Sequence, residues 1–277
     1  MKILVVDNNP VVLRVLTEFL SNELAHEVRT ATDGLAALHL LDDFVPEVVI
    51  TDLVMPNIGG DKLCRIIRDT PHLNHCFLII LSAIAAEEKD EKKQACGADA
   101  CVAKGKTVDV KEHLRQLLAQ AGQHKSDTLY EVDLTVGLDT VHNREVTREL
   151  LNSRDYFAGI VEFLDDGVFG LSHDGHIIYV NRAASRLAEI SEEKLLGREF
   201  ATLFADKERA AIRRGLHQAR QQEHQQALII DHDPPLNLNG YFIALLCLPV
   251  EVDGQRAVVI LMRDQTSRVL DRLAPRS

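Results

Sequence analysis

The sequence predicts two domains of different fold class. Residues 1–121 read as an α/β domain, a doubly wound parallel sheet of (βα)5 type, and residues 153–267 as an α+β domain with an antiparallel sheet. Three observations lead there. The chain has 277 residues and is 46% apolar, enough for two ordinary cores. The first 121 residues alternate short apolar runs with helical stripes. The later residues instead set apolar runs around Asp-Gly and Asn-Gly turns.

In the first domain the expected strands are Ile3–Val6, Glu27–Ala31, Val48–Thr51, Phe77–Leu81 and Ala100–Ala103, each bounded by polar or Gly/Pro residues. The expected helices are Pro10–Leu20, Leu35–Asp42, Lys62–Asp69, Ala86–Cys96 and Val108–Gln120. Pro10 suits a first helical position, where its missing N–H costs nothing. Gly97 suits the position just past a helix end. Strictly alternating strand and helix call for a parallel sheet covered on both faces.

Residues 122–152 change character and are read as a linker with a helix. Gly122 to Asp127 is polar, and Val132, Leu134, Val136 and Leu138 then alternate with polar residues, as in a short strand or extended arm. From Val146 an apolar stripe runs through Leu150, Phe157, Ile160 and Leu164 at helical spacing. In the second domain Val168–Leu171 and Ile177–Val180 flank a hairpin turn through Asp174-Gly175. Asn181 is a good N-cap for a helix over Arg182–Glu189. A charged helix follows from about Asp206 to His224, then strands over Ala227–Asp231, Tyr241–Leu248 and Arg256–Met262, with turns at Asn239-Gly240 and Asp253-Gly254. Residues 268–277 form a tail.

Composition excludes several classes. The net charge is −11, with 13 Lys and Arg against 18 Asp and Glu in residues 1–121 and 18 against 24 in the remainder. Neither part offers the basic surface of a nucleic-acid binder, and no helix-turn-helix pattern appears. The five cysteines are scattered and form no CxxC pair, which argues against a disulfide framework and structural zinc and fits a reduced cytosol. The twelve histidines show no metal spacing. The longest late apolar run, Tyr241 to Val250, is too short to span a bilayer. A cytoplasmic protein is expected.

In a parallel α/β sheet, ligands sit at the carboxyl ends of the strands where strand order reverses. Strand one here ends in Asp7, strand three in Asp52, strand four in Ser82 and strand five in Lys104. Singly, each is an ordinary helix cap, loop residue or surface charge. Together they gather two carboxylates, a hydroxyl and an ammonium. That set suits phosphoryl transfer to a carboxylate: an Asp nucleophile, a lysine against the developing charge, and Mg²⁺, which needs only one or two carboxylates plus phosphate oxygens.

Val5-Val6-Asp7-Asn8-Asn9-Pro10, Asp52-Leu53-Val54-Met55-Pro56, Leu81-Ser82-Ala83 and Gly97-Ala98-Asp99 followed by Lys104 resemble the receiver domain of bacterial response regulators, a flavodoxin-like fold. The resemblance implies that Asp52 is the phosphoacceptor, Ser82 the switch hydroxyl and Lys104 the lysine on the phosphate. It implies a Mg²⁺ site of Asp7, Asp52, the carbonyl of Val54 and Asn8. Asn8 stands where the family usually has a second acid, which weakens the expected Mg²⁺ affinity. Cys101 replaces the usual Tyr or Phe, and Gly105 the usual proline after the lysine.

Gly167-Val168-Phe169-Gly170-Leu171, Asp174-Gly175, Tyr179-Val180-Asn181-Arg182-Ala183-Ala184, Leu196-Gly197 and the closing Met262-Arg263-Asp264-Gln265-Thr266 resemble a PAS domain. PAS domains sense ligands, redox state or light, or simply dimerise, and these residues choose no ligand. Arg182 directly after Asn181 leaves no flavin-adduct cysteine. His217 sits late for a haem ligand and among Arg213, Arg214 and Gln218, as on a solvated face.

The whole reads as a two-component signalling protein and not an enzyme. A partner histidine kinase or phosphotransfer protein phosphorylates Asp52, and the signal passes to the PAS domain. A homodimer held by the helix from Val146 to Leu164 is expected, with no contact to DNA or membrane. The alternatives are the front of a receiver–PAS histidine kinase and a degenerate receiver used for docking. The former lacks, up to Ser277, a phosphoacceptor-His helix and a Gly-rich ATP region.

Overall fold

The computed structural model describes residues 1–82, 96–104, 107–123, 135–136, 159–221, 227–230, 235–252 and 255–273. The chain divides into two compact units, Met1–Leu151 and Asn152–Ser277.

The first unit runs β1 (Lys2–Val6), α1 (Pro10–Glu18), β2 (Glu27–Ala31), α2 (Gly34–Leu41), β3 (Val48–Asp52), α3 (Gly60–Asp69), β4 (Phe77–Ser82), β5 (Ala100–Ala103), α4 (Thr107–Gln123) and β6 (Thr135–Val136). The sheet is parallel throughout, in the order β2-β1-β3-β4-β5-β6. The order reverses between β1 and β3, so a crevice opens at their carboxyl ends. Every described strand the sequence anticipated is present.

Both sheet faces are covered, which explains why the strands read as continuous apolar runs. Ile3, Val5, Val48, Ile50, Ile79, Leu81, Ala100 and Val102 share one face and pack with Leu16, Phe19, Leu20, Leu114, Leu117 and Leu118. The alternate residues Leu4, Val49, Leu78 and Ile80 are buried as well, on the opposite face. Each such side chain contributes roughly 1.5–3 kcal/mol by leaving water.

The structure departs from expectation in places. The stripe Pro10–Leu20 is α-helical only to Glu18. Phe19–Glu23 form a π-helical turn in which Phe19 and Leu20 are wholly buried. That turn ends at Glu23, which pairs with Lys111 at 2.7 Å and Arg115 at 3.7 Å, both on α4. The third helix starts at Gly60, two residues earlier than its apolar stripe. The alternating segment near Val136 adds β6 to the outer edge of β5, with Cys101 opposite Thr135 and Val102 opposite Val136. The expected helix Ala86–Cys96 lies outside the described residues except for Cys96, as do Gly105, the polar run His124-to-Asp127 beyond α4, and the Asp253-Gly254 turn; Gly122 and Gln123, expected in the linker, end α4 instead.

The second unit runs β7 (Gly167–Leu171), β8 (Ile177–Val180), α5 (Arg182–Ala188), α6 (Glu192–Leu195), a 3-10 turn (Phe200–Leu203), α7 (Asp206–Gln221), β9 (Leu228–Ile230), β10 (Leu236–Leu238), β11 (Tyr241–Val252), β12 (Gln255–Asp264) and α8 (Thr266–Leu273). Its sheet is antiparallel, in the order β10-β11-β12-β7-β8, with β9 also on β11. Residues 159–162 are helical, at the end of the stripe that starts at Val146, and residues 146–158 lie outside the described ones.

Asn181 organises the start of this unit. Its Oδ1 accepts from Ala184 N at 2.9 Å, the N-cap the sequence predicts, and from Val168 N at 2.8 Å. Its Nδ2 donates to Val161 O and Asp166 O, each at 3.0 Å. One buried amide thus ties the preceding helix, β7 and α5 together. The Asn239-Gly240 turn joins β10 to β11 with φ of 51° and 90°, the pairing a two-residue hairpin needs. Asn239 Nδ2 also donates to Ala188 O at 2.7 Å, closing the end of α5.

Candidate functional site

β1 delivers Asp7 to the crevice, and Asp7 N donates to Ala31 O at 3.1 Å, which continues the β1–β2 ladder by one residue. The Asp7 side chain is fully buried, and its Oδ1 accepts from Asn9 N at 2.8 Å. Asn9 in turn caps α1, accepting from Val11 N at 2.9 Å, with Pro10 in the first turn. Asp52 is the last residue of β3 and is 9% exposed. Its Oδ1 accepts from Leu53 N at 2.8 Å, and Leu53 N also reaches Leu81 O at 3.2 Å.

Lys104 follows β5 directly. Its N–H donates to Ser82 O at 2.8 Å, which fixes it beside the end of β4. From there its ammonium lies 2.7 Å from Asp7 Oδ2 and 2.8 Å from Asp52 Oδ2. Ser82 is buried at the same strand end. The structure therefore brings together Asp7, Asp52, Ser82 and Lys104 from four strand ends. Asn8 and Val54 are exposed, adjoining Asp7 and following Asp52.

Burial raises the Asp52 carboxyl above its ordinary value; the hydrogen bond and charge of Lys104 oppose that shift, and the Asp7 charge adds to it. Two carboxylates in one crevice repel, and one ammonium between them lowers that cost. The oxygen donors also fit Mg²⁺. Two carboxylates with a backbone carbonyl and an amide oxygen nearby suit a hard cation that keeps waters and takes phosphate oxygens. Among the described residues no cluster of three His, Cys, Asp or Glu side chains forms a denser metal site.

Two positions around the site carry no signal in residue type alone. A Cβ on Gly60 would lie 2.0 Å from Asp52 O, so only glycine lets α3 start against the end of β3. Thr51 Oγ1, also buried, donates to Asp52 O at 3.0 Å. A Gly-Gly pair before a helical stripe was the available hint for Gly60. In the second unit His217 is exposed, with its Nε2 2.8 Å from Gln221 Nε2.

Residues 3–125 match the family described as response regulator receiver domain, and residues 161–270 match the PAS fold. The chain is a receiver domain followed by a PAS domain. The receiver is similar to that of sensor histidine kinase RcsC of Salmonella typhimurium, 35% identical over 122 residues, which are 43% of this chain and 12% of RcsC. It is 38% identical over 119 residues to sensor protein EvgS of Escherichia coli, covering 42% of this chain and 10% of EvgS. Response regulator PleD of Caulobacter vibrioides is 34% identical over 83 residues, 30% of this chain and 18% of PleD. The chain thus spans a small part of these relatives, and the matches concern the receiver.

Among solved structures, chemotaxis response regulator CheY4 of Vibrio cholerae is 25% identical with a TM-score of 0.40, over 43% of this chain and 97% of that one. The BeF3-activated DrrB receiver domain is 27% identical with a TM-score of 0.39, over 44% and 97%. No helix among the described residues of this receiver–PAS chain is long and apolar enough to cross a membrane.

Proposed function

We propose that this receiver–PAS chain is a two-component signalling protein in which Asp52 takes a phosphoryl group from a partner histidine kinase or phosphotransfer protein. The observation that carries the reading is the Lys104 ammonium held at 2.7 and 2.8 Å from Asp7 and Asp52. An Asp52 oxygen attacks phosphorus. The new P–O bond forms as the donor's P–N bond, or the P–O bond of acetyl phosphate, breaks and the leaving group keeps the electron pair. Lys104 follows the charge onto the phosphoryl oxygens, and the Ser82 hydroxyl donates to one of them. Asp7, Asp52, the Val54 carbonyl and the Asn8 amide oxygen are the groups that would hold Mg²⁺, which when bound neutralises charge on the phosphoryl group. Incubation of the full chain with acetyl phosphate and Mg²⁺ tests this by intact mass. One phosphoryl group is expected, absent in Asp52→Ala, and equal labelling of that variant would remove the assignment.

The reading is of a cytoplasmic non-enzyme that works as a homodimer and does not itself contact DNA; its acidity, 31 basic against 42 acidic residues, supports the last point. The dimer is assigned to the helix before the PAS domain. Ile160 on that helix and Phe163 and Leu164 just past its end are 46%, 91% and 43% exposed, an apolar face at the start of the PAS unit that a second copy would cover.

A further inference from the structure

The loop that joins β3 to α3, Leu53 to Gly59, is held by the start of α2. Gly34 N donates to Ile58 O at 3.1 Å. A Cβ on Gly34 would run into that same Ile58 oxygen, so glycine permits the approach. One residue back on each side, Asn57 Nδ2 donates to Asp33 Oδ2 at 2.9 Å. Asn57 has φ of 59°, a left-handed conformation that asparagine accepts more readily than most residues. The other oxygen of Asp33 accepts from Ala36 N at 2.9 Å and caps α2. Asp33 thus fixes a helix start with one oxygen and the loop with the other. The loop is also closed on itself, since Gly60 N donates to Leu53 O at 3.1 Å.

These contacts divide the loop. Ile58 is wholly buried and Leu53 nearly so, whereas Val54, Pro56 and Asn57 are exposed. Packing therefore fixes the two ends of the loop and does little for the stretch between them. That stretch carries the Val54 carbonyl, and the Asn57 side chain ties its far end to α2. A backbone carbonyl cannot turn by itself, so its direction follows the loop. Mg²⁺ demands near-octahedral geometry at about 2.0–2.1 Å and tolerates a misplaced ligand poorly. A carbonyl set in advance also spares the cost of ordering its loop on binding.

We propose that Asp33 and Asn57 are positioning residues for the Mg²⁺ site: their bond, anchored on α2, sets where the Val54 carbonyl stands when the metal arrives. The inference rests on the reading of Val54 as a Mg²⁺ ligand. Both residues act through the loop backbone. Breaking the bond is expected to raise the Mg²⁺ concentration the receiver needs and to leave the chemistry at Asp52 unchanged once the metal is bound.

The test uses the full chain, with Mg²⁺ titrated by calorimetry and amide hydrogen exchange followed over residues 53–58 in metal-free protein. Asn57→Gly removes the amide, accepts the positive φ and keeps the charge. Asp33→Asn keeps the helix cap and the loop residue but sets two amides against each other. Each is expected to weaken Mg²⁺ binding about fivefold, the worth of one hydrogen bond, and to speed exchange in the loop. Asp33→Asn combined with Asn57→Asp exchanges carboxylate and amide, so the bond forms again with its roles reversed and the net charge is that of wild type. This double variant is expected to return to within about twofold of wild-type Mg²⁺ affinity. With acetyl phosphate, the single variants are expected to reach the wild-type labelling rate at saturating Mg²⁺. Wild-type affinity or wild-type exchange in either single variant, a double variant that stays weak, or a lowered rate at saturating Mg²⁺ would overturn the proposal. If wild type binds Mg²⁺ and labels at Asp52 while the variants match it, the positioning role alone fails. If wild type binds no Mg²⁺, the metal-site reading fails and this proposal with it.

Discussion

At the scale of single residues, Asp52 is held in a balance that has a measurable pH signature. Its carboxyl lies above the ordinary 3.8, with burial the largest cause and Lys104 pulling the other way. A raised folded-state value means that the native protein binds more protons than the unfolded chain between the two values. The contribution of this carboxyl to stability is therefore fully present below the ordinary value and is lost as pH rises through the raised one. Asp52→Asn removes that loss. Urea melts in the absence of added Mg²⁺ are expected to show the variant more stable than wild type at pH 7, with the gap closing below about pH 4. A gap of the same size at both ends would contradict this account. Asn8 tests the metal arm. A carboxylate there adds a charge worth ~4 kcal/mol at about 4 Å and an effective dielectric near 20, before desolvation is subtracted. Asn8→Asp is expected to tighten Mg²⁺ binding about tenfold, ~1.4 kcal/mol net, in a fluorescence or calorimetric titration. Unchanged affinity would place Asn8 outside the metal shell.

At the scale of elements, the two domains depend on glycine for different reasons. Gly240 has φ of 90° and open space where a Cβ would go. Gly240→Ala is therefore a backbone effect alone, expected to cost about 1–2 kcal/mol in a thermal melt and to leave phosphoryl labelling of Asp52 intact. Gly60→Ala is a steric effect at the site. Its Cβ would overlap the Asp52 carbonyl oxygen, so either α3 or the end of β3 must move. A loss of at least about 2 kcal/mol is expected, together with slower labelling by acetyl phosphate. Labelling at the wild-type rate in Gly60→Ala would show that the start of α3 does not set the position of Asp52. Most elements were legible because amphipathic period and caps are local: Asn181 and Pro10 do at helix starts what their chemistry requires. The misses are short or non-local. β10 has three residues, too few for a period to show. The π-helical turn at Phe19 follows packing rather than propensity, while β6, which the alternation around Val136 allows as a short strand or an extended arm, takes its place from the edge of β5.

At the scale of the whole molecule, the apolar face at the start of the PAS unit sets the expected assembly. Phe163 is 91% exposed, so replacing it disturbs little within its own unit. Full-length protein is expected to show a dimer mass by light scattering, and Phe163→Asp is expected to shift it toward monomer at micromolar concentration while leaving the melting temperature of a diluted sample nearly unchanged. A dimer of undiminished strength would move the interface elsewhere. A shared helix between a receiver and a PAS domain would couple them by population: a receiver state that favours one helix packing shifts the dimer as a whole.

The sequence by itself determined the alternation of strand and helix, the division into an α/β and an α+β domain, and the residue types at each strand end, because each of these is written in local hydrophobic period and turn chemistry. Asp7, Asp52, Ser82 and Lys104 were legible on that basis. Only the tertiary structure decided that one ammonium lies between both carboxylates and that Gly60 must be small against Asp52. Those facts join residues 8 to 97 positions apart in the chain. They depend on which strands lie side by side and on the close-packing of helices over them, and no local pattern in the sequence encodes that adjacency.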